Sequence, residues 1–147
     1  MPAMNAHRLP LLSALLALSG CSLHAPAPAP PALLLGDFID DYGIAHRIDT
    51  REWRQLPNAR YRIVRWDTDG HYLIARNDDD NPADAGRWTR IDWLVLPGMP
   101  PYEWAFCFSA YAAPTQAEAE RTAIARRDTP RTGCNGHPFS RMRRAER

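Results

Sequence analysis

The sequence predicts a mainly β, α+β domain: an antiparallel sheet of five or six strands, curled into a partial barrel or packed under one helix. Three observations support this prediction. Apolar residues recur at every second position in several stretches after residue 35, which is the period of a strand with one buried face. Turn-forming residues separate these stretches. Only one segment, in the C-terminal half, combines a capping motif with helix-forming residues.

The first strand is predicted over residues 36–49. Phe38, Tyr42, Ile44 and Ile48 fall on one face of an extended chain. The other face carries Asp41, Arg47 and Asp49. This alternation is typical of a half-buried strand.

The sequence "RYRIVRWDTDGHYLIARN" predicts a β-hairpin. The Asp-Gly pair at 69–70 is typical of a two-residue type I′ turn, which pairs Trp66 with Leu73 and Val64 with Ala75. One face of the hairpin is then apolar. The other face could line a pocket suited to an amphiphilic anion, or it could expose Arg side chains stacked on Tyr rings. The candidate ligand face consists of Tyr61, Arg65, Tyr72 and Arg76.

Two later stretches predict further strands. "RWTRIDWLVL" alternates between two faces, and "YEWAFCFSAY" is apolar on both faces, as in a central strand that is covered twice. The odd-numbered positions of the second stretch are small: Ala105, Cys107 and Ser109. We therefore expect another segment to approach that face closely.

One helix is predicted to begin after Thr115. Thr115 and Glu118 form a capping box, and the Ala, Glu and Arg residues that follow continue the helix to about Arg127. Pro130 prevents its continuation. The turn-rich stretch after it is expected to return to the sheet with two buried anchors, Phe139 and Met142.

The N-terminus predicts export. His7 and Arg8 precede an apolar run of about half the ~20 residues that a membrane-spanning helix needs. A charged start, an apolar centre and small residues form the layout of a secretory signal. We expect residues 1–20 to be a signal peptide, residues 21–34 an extended Ala/Pro-rich linker and residues 35–147 a single domain.

Leu18-Ser19-Gly20-Cys21 resembles the lipobox of bacterial lipoproteins. The resemblance implies that the Cys21 thiol receives a diacylglyceryl group, that cleavage occurs just before Cys21 and that the new amino group is acylated. Ser22, in place of Asp, implies an outer-membrane lipoprotein that faces the periplasm. The alternatives are an ordinary secretion signal with a chance cysteine, or a buried apolar helix.

Two further resemblances concern the mature domain. "DDYG", "WTRIDW" and "TGCNGxPFSRM" together resemble a family of uncharacterised bacterial envelope lipoproteins, which implies no activity. Gly36-x-Phe38 resembles the Gly-x-Trp motif that opens the first strand in the lipocalin family. In that family a late Arg stacks on the aromatic ring, and the resemblance gives this role to Arg141 or Arg143.

Lipidation of Cys21 leaves two cysteines, Cys107 and Cys134. An exported chain reaches an oxidising compartment, where an even pair of cysteines predicts a disulfide. Two free thiols, or an incomplete metal site with His137, are the alternatives.

The charges of the chain nearly cancel. The sequence has 18 basic residues, all of them Arg, against 17 acidic ones. Because no basic excess is available to neutralise phosphates, we do not expect nucleic acid as a partner. The exclusive use of Arg is typical of a GC-rich genome; recognition of an anion is the alternative.

No motif predicts catalysis, a metal or a cofactor. His46 and Asp40 fall on the Phe38 face, but no nucleophile accompanies them. The Asp-rich stretches 78–80 and 67–69 offer oxygen ligands without the spacing of a calcium loop.

We therefore expect a lipid-anchored, non-catalytic binding or interaction module of the cell envelope. Its expected partners are the membrane, through the N-terminal lipid, and either an envelope protein or an amphiphilic ligand. One alternative is a lipocalin-like carrier of a small amphiphile, with Arg65 or Arg76 at the mouth of an apolar cavity. Another is an inhibitor or immunity protein against a cell-wall hydrolase, acting through the loop "PGMPP" at residues 97–101.

Overall fold

A computed structural model of the chain describes Met1 and residues 28–146, and in it eight antiparallel strands close into a barrel. Each strand pairs with the next along the chain, and the last pairs with the first. The mainly β prediction is confirmed, but the expected five or six strands in a partial barrel were too few. The strands are β1 (Gly36–Asp40), β2 (Ala45–Ile48), β3 (Glu52–Gln55), β4 (Ala59–Asp67), β5 (Tyr72–Asn77), β6 (Trp88–Val95), β7 (Trp104–Ala113) and β8 (Ser140–Arg144).

The single strand predicted over residues 36–49 is a hairpin of β1 and β2. Asp40 ends β1, and its Oδ1 accepts hydrogen bonds from the backbone amides of Tyr42 and Ile44 at 3.0 and 2.8 Å. This side chain therefore caps the turn. Phe38 and Ile48 are buried, as predicted, whereas Tyr42 lies in the turn and is exposed.

Aromatic side chains fill the barrel interior. Trp53 lies 5.8 Å from Trp104 and 5.1 Å from Phe106 between ring centroids, and Phe38 meets Trp104 edge-to-face at 5.2 Å. Edge-to-face contacts of this kind add to the free energy of burying the rings. The buried cluster around them also contains Leu34, Ile48, Trp66, Leu73, Ala75, Ile91, Trp93 and Met142.

The hairpin of β4 and β5 contains a β-bulge at Val64. Trp66 pairs with Leu73 as predicted, but Ile63, and not Val64, lies opposite Ala75. Val64 is extruded and 51% exposed. One extra residue in a strand exchanges the faces on its two sides, so the predicted alternation is correct only on the turn side of the bulge.

The turn of this hairpin also differs from the predicted two-residue turn. The strands end at Asp67 and resume at Tyr72, and the positive φ of 54° belongs to His71. Asp67 holds the four-residue loop, because its Oδ1 accepts a hydrogen bond from the amide of Gly70 at 2.7 Å.

The predicted helix begins where expected and ends early. Thr115 is the N-cap, and its hydroxyl accepts a hydrogen bond from the Glu118 amide at 3.2 Å. The helix, α1 (Gln116–Arg121), stops six residues before Arg127. Ala119, at its centre, is fully buried against Ile74 and Ala110 on the outer face of the barrel. Among the described residues, no helix has the length and apolarity needed to cross a membrane.

Residues 114–139, which we name the crossing segment, run over the outer face of β5, β6 and β7. The predicted disulfide is confirmed: Cys107 on β7 is bonded to Cys134, with 5.5 Å between their Cα atoms. The small face of β7 is therefore covered by the segment that carries Cys134, and Cys107 and Ser109 are buried beneath it.

Asp92 also holds the crossing segment, through an ion pair with Arg127. This carboxylate is 1% exposed and accepts hydrogen bonds from Arg90 Nε at 2.9 Å and from Arg127 Nη2 at 2.7 Å. The Ser109 hydroxyl also donates to it. Arg127 further donates to the backbone oxygens of Trp93, Gly70 and His71. A buried carboxylate is stable only when its lone pairs are satisfied in this way.

The two ends of the barrel differ. The β1–β2, β3–β4 and β5–β6 connections lie at one end, which we name the mouth. The chain enters at the other end, which we name the closed end, where a 3₁₀ turn at Ala32–Leu34 inserts the buried Leu34 into the core. Arg144 fixes this turn by donating hydrogen bonds to the carbonyls of Leu35 and Leu33 at 2.6 and 3.1 Å.

The guanidinium of Arg144 also lies over the Phe38 ring, with its Cζ 4.4 Å from the ring centroid. The stacking that the lipocalin resemblance implies is therefore present, but it is made by Arg144 and by neither Arg141 nor Arg143. Arg141 instead pairs with Asp41. Gly36 permits the arrangement, since a Cβ there would lie 2.7 Å from the Arg144 guanidinium.

The disulfide predicts a measurable loss of stability. Removing the disulfide with the double substitution Cys107→Ala and Cys134→Ala should lower the free energy of unfolding by about 3–4 kcal/mol, because the unfolded chain regains the conformational entropy that the crosslink removed. Urea unfolding of the oxidised wild type and the double variant measures this difference. Reductant should destabilise the wild type equally and leave the variant unchanged; equal stability of the oxidised proteins would contradict the prediction.

Candidate functional site

The mouth holds a pocket of about 340 Å³. Its walls are formed by the β1–β2 turn, the β3–β4 turn, the β5–β6 loop and the end of β7. Gln55, Leu56 and Asn58 supply one wall, from the end of β3 and the turn that follows. The β5–β6 loop supplies another, and Tyr111 of β7 closes the third side. The remaining lining residues are Ile44, Ala59, Tyr61, Asn77, Pro82, Ala83 and Asp84. Backbone turns at the end of a rigid barrel thus form the pocket, which is a common location for ligand sites.

Asn77 organises this pocket from below. Its side chain is 1% exposed, and its Nδ2 donates hydrogen bonds to the backbone oxygens of Asp84 and Tyr111, each at 2.9 Å. Its Oδ1 accepts a hydrogen bond from the Thr89 hydroxyl at 2.5 Å. One buried amide therefore fixes both the β5–β6 loop and β7 at the positions where they line the mouth.

Two further side chains hold the β5–β6 loop, which spans residues 78–87. Asn81 is paired with the backbone of Arg60, accepting from its amide and donating to its carbonyl at 2.8 Å each. Asp78 accepts hydrogen bonds from the Asp80 amide at 3.1 Å and from Arg62 Nη2 at 2.7 Å. These bonds tie the loop to β4, so the mouth is a preorganised surface.

Tyr61 forms the polar part of the pocket floor. Its ring packs 5.4 Å from Phe108, centroid to centroid, and its hydroxyl donates to Gln55 Oε1 at 3.5 Å. Burial, and next the charge of Asp84, raise the pKa of Tyr61 above its usual value of 10.0. The phenol is therefore a neutral hydrogen-bond donor and acceptor at physiological pH.

The predicted ligand face is split by the bulge at Val64. Tyr61 points into the mouth, whereas Arg65, Tyr72 and Arg76 lie on the outside of the barrel. Arg65 pairs with Asp67 and Arg76 with Asp79. The Arg90 guanidinium stacks on the Tyr72 ring, with its Cζ 3.9 Å from the ring centroid. Tyr61 is therefore separated from the other three residues. The Arg65 Cζ lies 5.8 Å from the centroid of the Tyr72 ring, so the observed arrangement is the alternative in which Arg side chains stack on Tyr. Neither Arg65 nor Arg76 lines the pocket.

His46 and Asp40 meet inside the barrel. Their side chains face inward from the β1–β2 hairpin, and His46 Nε2 lies 3.0 Å from Asp40 Oδ2. Trp53 Nε1 donates to His46 Nδ1 at 3.0 Å. Because the indole N–H is only a donor, Nδ1 must be unprotonated, and the proton lies on Nε2, facing Asp40. Burial lowers the pKa of His46 from 6.5, against the raising effect of Asp40.

The predicted lipidation site and the Asp-rich stretch do not contribute a metal or catalytic site in the described residues. Cys21, the predicted lipidation site, lies outside the described residues. The Asp78 and Asp79 carboxylates pair with Arg62 and Arg76. Within residues 28–146, no three His, Cys, Asp or Glu side chains come together as a set of metal ligands.

Sequence reasoning missed most of the mouth. Of its lining residues only Tyr61 was a candidate, because an isolated Asn at the end of a strand carries no pattern that marks it as buried. The positive φ of 52° at Asp84 could be suspected from the turn-forming sequence "NPADAG", since Asp tolerates that conformation better than most residues.

Asn77 should contribute strongly to stability and to the order of the mouth. Asn77→Ala removes one hydrogen-bond donor from each of two carbonyls and the acceptor of the buried Thr89 hydroxyl, which should lower the free energy of unfolding by at least about 2 kcal/mol. Hydrogen exchange should also become faster across residues 78–87. The control Asn58→Ala, at an exposed position on the rim, should change neither. Unchanged exchange in Asn77→Ala would contradict this role.

Stability should fall as the pH drops below 6.5. The folded state holds His46 with a lowered pKa, so the unfolded state binds more protons between pH 6.5 and that lowered value, and protons therefore favour unfolding. Urea unfolding measured between pH 5 and pH 8 should show this dependence. It should be reduced in His46→Gln and retained in His71→Gln. Equal slopes in the wild type and His46→Gln would refute this assignment.

The chain matches no family model, and comparison with curated proteins and with solved structures likewise finds no match. The functional conclusion therefore depends on the geometry of the mouth and on the sequence of the N-terminus.

Proposed function

We propose that this protein is a non-catalytic binding module of the cell envelope, anchored by lipid at Cys21, which takes its ligand or partner at the mouth of the barrel. The observation that carries the proposal is the separation of the two ends. The described chain, from residue 28, enters the barrel at the closed end, and the preorganised pocket lies at the other end.

The approach of the N-terminal chain supports this orientation. Residues 28–30 lie beside Thr50 of the β2–β3 connection and beside residues 66–69, at the end of β4 and the start of the β4–β5 loop, all at the closed end. A lipid on Cys21 would therefore hold the closed end nearer to the membrane. The mouth would then face the periplasm, where an envelope protein or a small molecule can reach it.

The internal polar groups support a non-catalytic role. His46 and Asp40 form the acid–base pair that would otherwise suggest catalysis. Both His46 nitrogens are occupied, and its side chain is fully buried. A general base must reach the proton it abstracts, so a buried pair enclosed by Trp53 and Phe106 is better suited to fixing the β1–β2 hairpin inside the barrel.

A lipocalin-like carrier is the second candidate. The stacking of Arg144 on Phe38, with Gly36 beneath the guanidinium, agrees with the resemblance at the start of β1. The aromatic rings that fill the interior limit such a carrier to a ligand held shallowly at the mouth. The amphiphilic anion considered from the sequence is disfavoured, because Arg65 and Arg76 lie outside the barrel.

The inhibitor hypothesis receives less support. The loop 97–101 joins β6 to β7, which places it at the closed end with Met99 partly exposed. If the lipid tethers that end, this loop faces the membrane surface and is poorly placed to block a hydrolase.

The anchor is tested by mass spectrometry of the protein purified from a bacterial envelope. The mature chain should begin at Cys21 and carry acyl chains on its thiol and amino groups. Cys21→Ala should remain uncleaved at this site and lack the lipid. A mature wild-type chain that begins elsewhere, or that lacks acyl chains, would disprove the anchor.

The binding site is tested by site-specific photocrosslinking in living cells. A benzophenone amino acid at Ala83, in the mouth, should form adducts with the natural ligand or partner. The same group at Val95 should not, since this exposed position lies at the opposite end of the barrel. Adducts formed mainly at position 95 would move the binding surface away from the mouth.

A further inference from the structure

We infer that the mouth recognises an organic ammonium group on a short apolar chain, with Asp84 as its counter-ion. This inference rests on the proposed function, because it specifies the ligand class of the same pocket. It follows from the charge, the rings and the size of the pocket.

Asp84 gives the pocket its charge. It is the only acidic residue among the lining residues, and no Arg lines the pocket. None of the ion pairs formed by residues 28–146 includes Asp84. Two of its loop neighbours, Asp78 and Asp79, are paired with Arg62 and Arg76, whereas Asp80, like Asp84, is in none of these ion pairs. Asp84 differs from Asp80 by its place in the pocket lining, where its carboxylate is the only charged group.

The fold holds the backbone of Asp84 in place. The Asp84 carbonyl accepts hydrogen bonds from Asn77 Nδ2 at 2.9 Å and from the Arg87 amide at 3.1 Å. The residue adopts a left-handed φ of 52°. The raised pKa of Tyr61, to which Asp84 contributes, indicates that the carboxylate lies within electrostatic reach of the phenol. The charge and the phenol therefore belong to the same pocket.

The remaining lining suits the rest of an ammonium ligand. The rings of Tyr61 and Tyr111 are available for cation–π contact, and Tyr111 is 62% exposed. Leu56, Ile44 and Pro82 provide apolar surface for a short chain. A carboxylate or phosphate ligand would meet the negative charge of Asp84 with no basic residue in the lining to offset it. The volume of about 340 Å³ is at the lower end of the range for small-molecule sites.

The experiment compares three six-carbon probes with different polar groups: hexylammonium, hexan-1-ol and hexanoate. The protein is the full mature lipoprotein in nanodiscs, labelled with 3-fluorotyrosine. The ¹⁹F signals of the two mouth residues are assigned with Tyr61→Phe and Tyr111→Phe. Reading the protein signals separates binding at the mouth from partitioning of the probes into lipid.

Hexylammonium should shift both mouth signals saturably and bind at least tenfold more tightly than hexan-1-ol, and hexanoate should not bind. Asp84→Asn should weaken hexylammonium at least tenfold and leave hexan-1-ol unchanged. Asn tolerates the left-handed conformation as well as Asp does, so the variant should keep the wild-type melting temperature. The matched control Asp79→Asn, in the same loop but outside the pocket, should bind like the wild type.

The failures are distinguishable. If hexan-1-ol or hexanoate binds as tightly as hexylammonium, or if Asp84→Asn has no effect, the ligand class is wrong and the mouth remains a binding site. If no probe shifts the mouth signals while the crosslinker at position 83 still captures a partner, the ammonium inference fails and the proposed function stands. If the crosslinker also captures nothing there, both fail.

Discussion

The structure depends on closing the barrel, and closure depends on how the chain returns after β7. That strand ends near the mouth, while β8 must pair with the lower part of β7 and with β1. The crossing segment between them has one helix of six residues and few large apolar residues. It is held on the outer face of the sheet by the disulfide to Cys107, by the Arg127–Asp92 ion pair and by the buried Ala119. These attachments fix the path of the chain to β8, whose pairing with β1 leaves the sheet without an open edge.

Closure also determines what the interior can do. Eight strands give a barrel whose interior is just filled by side chains, and here Trp53, Trp104 and Phe106 occupy it. Two sets of polar side chains inside the barrel are hydrogen-bonded: His46 lies between Asp40 and Trp53, and Asn77 lies between the β5–β6 loop and β7. The buried Nε1 of Trp104, by contrast, has no partner among the described residues. The first set fixes the β1–β2 hairpin, and the second shapes the mouth. In the proposed function, a ligand therefore binds at the end of the barrel, where Asp84 and two Tyr rings line the pocket.

The bulge at Val64 shows why the candidate site was only partly predictable. Strand alternation correctly placed Trp66 and Leu73 inside, because their pairing lies close to the turn. One extra residue then reversed the faces, and Tyr61 was separated from Arg65. A bulge has no reliable signature in a single sequence, since any residue can be extruded. The pocket at the mouth accordingly differs from the anion site that was one alternative for this face, because its lining contains one carboxylate and no Arg.

The sequence by itself determined what depends on neighbours along the chain and on composition. It identified the strand periodicity of β6 and β7, the capping box at Thr115, the small face of β7 and the pairing of Cys107 with Cys134, which follows from counting cysteines. Only the tertiary structure decided the number of strands, the closure by β8, the stacking of Arg144 on Phe38 and the meeting of Asn77, Asp84 and Tyr111. These contacts join residues that are distant in sequence, so they are fixed by the geometry of a closed sheet and not by any local pattern.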